Sequence, residues 1–160
     1  MYDPKFLEER IKNVLQDEAQ INALDFAAFL QTNEFICELN EDETIKHNPL
    51  GWNGAIGGVV GNSIGYMYFD GSTKNNEWCI FLNSYDFGDV NILNNETKET
   101  IWSYLNKCCK CNDNWANCRG GNKTILGKTF DDLCHSPLMF KSPKAETLVN
   151  VKNMLLLLKK

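Results

Sequence analysis

The 160-residue chain is 43% apolar and carries four Trp, five Tyr and nine Phe, a composition that excludes a disordered or fibrous protein. At this length roughly 70% of the unfolded surface is buried on folding, so one domain spanning 1–160 needs no disulfides to stand. The net charge of −5 is unevenly placed: residues 1–100 hold 6 Lys/Arg against 17 Asp/Glu, and residues 101–160 hold 10 against 4, so the first hundred residues repel a phosphate backbone.

The opening MYDPKFLEER lacks the basic start and apolar run of a secretory signal, and no stretch reaches the about eighteen apolar residues of a membrane span. The chain therefore reads as cytoplasmic, without a membrane partner. Asp3-Pro4 resembles an N-cap and first helical residue, with Leu7, Ile11, Val14 and Leu15 following at helical spacing. Asn22 reads as the cap of a second helix bearing Leu24, Phe26, Ala27, Phe29 and Leu30, with Asn33 as a left-handed stop. Residues 35–39 alternate like a short strand. Residues 40–54 read as a loop in which Glu41-Asp42-Glu43 and His47 are solvated, because no spacing there fits a Ca²⁺ loop. The glycine-rich 54–61 lacks the preceding strand and following helix of a dinucleotide loop, and Gly61-Asn62 suits a two-residue hairpin connection into a strand at 63–69. Trp78, Ile80 and Leu82 mark one face of a further strand. Asn94-Asn95-Glu96 opens a helix predicted to run to Lys107, with Ile101, Trp102 and Leu105 inward, and to deliver Cys108 and Cys111. A strand at 137–140 precedes a helix opened by Ser142-Pro143, with Leu148, Val151, Leu155 and Leu158 on one stripe. Helices and strands segregate, which predicts an α+β fold: a single antiparallel sheet with helices packed on it and a Cys-rich metal-binding loop before the last strand and helix.

That loop, 108–134, packs five of the seven cysteines into 27 residues. Cys108-x2-Cys111, Cys118 and Cys134 make a four-thiolate set suited to a structural Zn²⁺, with Arg119-Gly120-Gly121-Asn122 as the turn that doubles the chain back. Closely spaced thiols in a reducing compartment are more often ligands than disulfides. A redox Cys-x-x-Cys wants a helix N-terminus, whereas this pair is predicted to follow a helix C-terminus. On a continuing helix Cys109 lies about 100° from Cys108 and misses the metal. His135, next to Cys134, is read as lying beside the site. Four thiolates and one Zn²⁺ sum to −2, so Lys107, Lys110, Arg119, Lys123 and Lys128 are read chiefly as compensating charge. Cys37 and Cys79, in apolar strand-like runs, are expected to be small buried hydrophobes.

The Cys108-x2-Cys111, Cys118-x-Gly120, Lys123-Thr124-Ile125-x-Gly127-Lys128-x-Phe130-Asp131 and Cys134 pattern resembles an uncharacterised family of small bacterial proteins, as does the later Pro143-x-Ala145-Glu146-Thr147-Leu148. The resemblance covers the C-terminal third. It implies the four-cysteine set and no activity.

No nucleophile–base pair stands out, so a small-molecule or protein binding module is expected rather than an enzyme. Trp52, Tyr66, Tyr68, Trp78 and Phe81 are read mainly as core, and otherwise as the lining of a ligand pocket on the sheet. The alternatives are a thiol- or metal-dependent enzyme at the Cys-rich loop and nucleic-acid binding through the basic C-terminal part, the latter disfavoured by the absence of a basic stripe with interleaved aromatics.

Overall fold

The computed structural model of the chain describes residues 4–35, 37, 64–69, 77–82, 91, 93–108 and 120–158. The expected cap at Asp3, the strand at 35–39 beyond its first residues, the acidic run, His47, Trp52 and the Gly61-Asn62 connection lie wholly or largely outside these residues. Helix α1 (Pro4–Val14) places Leu7 and Ile11 in the core at i, i+4 spacing. It does not merge into the next helix. Gln20 donates from Nε2 to the carbonyls of Leu15 (2.6 Å) and Lys12 (3.2 Å), which satisfies acceptors left open at the end of α1.

Helix α2 (Asp17–Thr32) begins five residues before the expected cap, Asn22. Asn22 instead sits buried in mid-helix and donates from Nδ2 to the Pro143 carbonyl at 3.3 Å, tying α2 to the chain entering the last helix. The helix ends at Thr32, and the left-handed stop falls one residue later than expected: Asn33 has φ −99°, and it is Glu34 that turns left-handed at φ 54°. The Phe35 N–H then donates to Leu30 O (2.9 Å) and the Glu34 N–H to Gln31 O (3.0 Å), the paired bonds of a Schellman ending. Phe35 and Leu30 are both buried, and the Phe35 ring lies 5.9 Å from that of Phe29, so packing holds the turn.

The sheet is entirely antiparallel. Strands β1 (Gly65–Phe69) and β2 (Trp78–Leu82) pair from Gly65↔Leu82 to Phe69↔Trp78, and β2 pairs with the end of a 14-residue strand β5 (Lys128–Lys141) from Leu82↔Leu138 to Cys79↔Lys141. Strand β3 (Leu105–Lys107) and strand β4 (Gly121–Ile125) also pair with β5. Alternation sends Trp78, Ile80 and Leu82 to the core, as expected, with Met67, Phe69, Leu138 and Phe140 beside them. Helix α4 (Ala145–Leu158) lays Leu148, Val151, Leu155 and Leu158 onto the same core, and α2 adds Phe26, whose ring is 6.2 Å from that of Trp78. No helix among the described residues is long and apolar enough to cross a membrane.

Helix α3 (Asn95–Ser103) is capped by Asn94, whose Oδ1 accepts from the Thr97 N–H at 2.8 Å. It stops four residues short of the expected Lys107. Tyr104 places its ring 5.1 Å from that of Phe140 and its hydroxyl 3.1 Å from Asn150 Nδ2, and the chain then enters β3. Nonlocal pairing with β5 overrides the local helical pattern of Ile101, Trp102 and Leu105.

Glu34 pays the strain of a left-handed residue that carries a Cβ. Glu34→Gly is expected to stabilise the protein by about 0.5–1 kcal/mol in urea denaturation, the steric relief outweighing glycine's extra chain entropy.

Candidate metal centre

The 108–134 segment is not one loop. Two of its stretches are strands, β4 and most of β5, joined by the two residues Leu126 and Gly127 with φ 52° and 80°. Two consecutive left-handed residues between paired Ile125 and Lys128 form the primed turn that suits the twist of a hairpin. Thr124 and Thr129 face each other across it, hydroxyl to hydroxyl at 3.0 Å. The expected turn at 119–122 is thereby corrected, since Gly121 and Asn122 belong to β4. The true turn was hard to see because Leu126 holds a position that usually takes Asn, Asp or Gly. Its side chain is buried, which holds it there.

Residues 109–119 lie outside the described residues, and the strands flanking them pair at one point. Lys107 at the end of β3 and Gly121 at the start of β4 are both register partners of Leu133. The Cys108 N–H donates to the Asp132 carbonyl at 2.6 Å, and Gly120 lies against the Cys108 side chain. Cys134 is the residue after Leu133. Cys108 and Cys134 thus flank the junction, both half-buried and both free thiols.

The ladder is irregular at this junction, whereas the β1–β2 and β2–β5 registers run without a shift. From Leu105↔Leu138 to Lys107↔Leu133, two steps along β3 face five along β5. From Gly121↔Leu133 to Lys123↔Phe130, two steps face three, and the left-handed Asp132 (φ 54°) lies in that bulge. Asn106 spans the larger irregularity, donating from Nδ2 to Met139 O at 3.0 Å and Pro137 O at 3.4 Å. Bulges re-aim side chains, and here Cys134 lies within the larger irregular stretch while Cys108 follows directly on β3.

Among the described residues no group of three or more His, Cys, Asp or Glu is placed to hold a metal ion. Cys111 and Cys118 lie outside them, as do Cys109, Lys110 and Arg119. Cys108 follows a strand rather than a helix, so the expected 100° offset of Cys109 no longer applies. His135 belongs to β5. Of the basic residues expected to compensate the site, Lys107 stands at the junction, whereas Lys128 is at the far end of the hairpin. There its ammonium lies 4.7 Å from the Trp102 ring centre and 5.2 Å from that of Phe130. Trp102 is fixed by its own Nε1 donating to Ile125 O at 3.0 Å.

Of the aromatic set, Trp78 and Phe81 stand on opposite faces of the sheet, and Trp52 lies outside the described residues. Trp78 is core, 1% exposed, and its buried indole N–H finds no acceptor among the described residues. Phe81 and Cys79 alternate to the other face, where both are half-buried, with Met139 as the register partner of Phe81. Cys37 and Cys79 are half-buried rather than fully buried.

Together these features define an α+β chain whose one antiparallel sheet is interrupted at a cysteine-flanked junction. Compared with known proteins, the chain matches no family model, no curated protein and no solved structure.

Burial pushes the Cys37 thiol from 9.0 up to about 11. The folded protein keeps this proton where the unfolded chain has released it, so the contribution is full below pH 9.0 and is lost as pH rises through about 11. Urea denaturation across that window is expected to show a steeper loss of stability in the wild type than in Cys37→Ala; parallel curves would refute it.

Proposed function

We propose that the chain is a non-enzymatic binding or interaction domain in which Cys108, Cys111, Cys118 and Cys134 hold one structural Zn²⁺. The observation that carries this reading is the convergence of both ends of the cysteine-bearing segment on Leu133, with Cys108 and Cys134 on either side. Sheet pairing already closes the segment, so two further sulfurs on 109–119 start from anchored ends and the entropy cost of gathering four ligands is reduced. Two free, half-buried thiols suit a thiophilic ion, and Lys107 offers one positive charge beside a site of net charge −2. Four thiolates fill a tetrahedral shell and leave no position for an activated water, so the metal's part is to stabilise the fold.

The surface assigned to a small ligand or protein partner is the sheet face opposite Trp78, where Phe81 and Met139 are half-buried. Nucleic acid has no place in this reading. Lys128 is engaged with two rings, and Lys152 bonds Asp25 at 2.6 Å while lying 5.5 Å from the Phe29 ring centre.

Elemental analysis of purified protein is expected to give one zinc per chain, and Cys134→Ser to lose it with a marked fall in thermal stability. A wild-type protein free of zinc, iron or any other thiophilic metal would refute the site. Fluorescence anisotropy with mixed-sequence DNA and RNA at about 0.1 M salt should show no micromolar binding; a shift that weakens steeply with salt would restore the nucleic-acid alternative.

A further inference from the structure

We propose that the outer face of α2 and α4 is where two copies of this chain meet, in a twofold dimer that sets the α4 helices antiparallel. Three large apolar side chains are exposed among the described residues, Ile21 at 66%, Val149 at 57% and Leu156 at 46%, and all three stand on these two helices. They belong to one surface. Asp25, one turn after Ile21, bonds Lys152 at 2.6 Å, and Lys152 is three residues after Val149. A surface helix ordinarily turns polar residues outwards, as α1 does with Glu9, Lys12 and Asn13. Of the 14 residues of α4 only Glu146 and Lys152 are charged, so its outer stripe lacks such a cover. The face involves no cysteine and stands or falls apart from the zinc reading.

The stripe is its own complement. Val149 and Leu156 lie two turns apart on one side of the helix, with the exposed Asn153 between them. A twofold axis at the level of Lys152 and Asn153 sets Val149 of each copy against Leu156 of the other. It also sets the two Asn153 amides face to face, each offering donors and an acceptor. The Asp25–Lys152 pairs of the two copies then meet as four charges that sum to zero, so no net charge opposes the contact. A lipid surface suits the face less well: α2 carries Asp17, Glu18 and Asp25 and no basic residue, whereas helices that lie on membranes are flanked by Lys and Arg. Two adjacent helices, about 20 Å across and about 21 Å long, present about 400 Å² on each copy, the size of a weak, reversible interface.

The test is sedimentation velocity of the full chain from about 5 to 500 μM, for wild type, Leu156→Lys and, as a control on α1, Asn13→Lys. The wild type is expected to pass from monomer to dimer over this range. Leu156→Lys, which enters a twofold contact twice, is expected to weaken association at least about 10-fold, and Asn13→Lys to leave it unchanged. A dimer that Leu156→Lys does not weaken overturns the inference, since the contact then lies elsewhere. A wild type that stays monomeric throughout overturns it too and leaves the face to a different protein or, where the wild type co-sediments with phosphatidylcholine–phosphatidylserine vesicles, to a membrane. If Leu156→Lys does not fold, Asn153→Cys decides. Mild oxidation that links two chains through position 153, mapped by mass spectrometry, supports the dimer, and the absence of that link at the highest concentration overturns it.

Discussion

The sheet depends on the backbone pairing of β5. It pairs with three of the four other described strands, β2, β3 and β4, and Leu138 alone has register partners in both β2 and β3. Buried peptide groups must be paired, so without β5 the β1–β2 ladder, β3 and β4 would each present an open edge to the core. The strand also contains Pro137, which cannot donate to a ladder. It is accommodated because 134–137 fall in the irregular stretch opposite β3, where the Asn106 side chain takes over part of the bonding.

Elements were legible where burial and period coincide within one short stretch. Trp78, Ile80 and Leu82 alternate, and Leu148, Val151, Leu155 and Leu158 form a helical stripe, so each pattern names both the element and its inner face. Legibility failed where a distant partner decides. Leu105 sits four residues after Ile101 and extends a plausible helix, yet its backbone is claimed by Leu138, 33 residues on. Glu34 takes the left-handed turn beside Asn33, which is chemically better suited to it, because the Phe35 side chain is drawn to Leu30 and Phe29.

The proposed metal centre could be read only as a spacing. Cysteine spacing marks out a four-thiolate set, but it carries no information about the scaffold. Cys108 and Cys134 lie next to residues whose ladders shift register around Leu133, and bulges leave little trace in sequence beyond an unexpected left-handed residue such as Asp132. The apparent single loop concealed a hairpin because Leu126, an apolar residue, occupies its turn.

That turn bears on the order of assembly. Contacts between β4 and β5 join residues 3 to 12 apart in sequence, from Ile125↔Lys128 to Gly121↔Leu133, whereas Leu82 and Leu138 are 56 apart. Loop-closure entropy rises with the length closed, and hairpins of this kind zip in about 1–10 μs. The hairpin therefore has the means to form ahead of the rest of the sheet and to offer β5 as a ready template to β2 and β3. Leu133 would then stand on a formed strand before β3 brings Lys107 alongside it, so the slow step in completing the sheet at this junction is the arrival of α3 and β3.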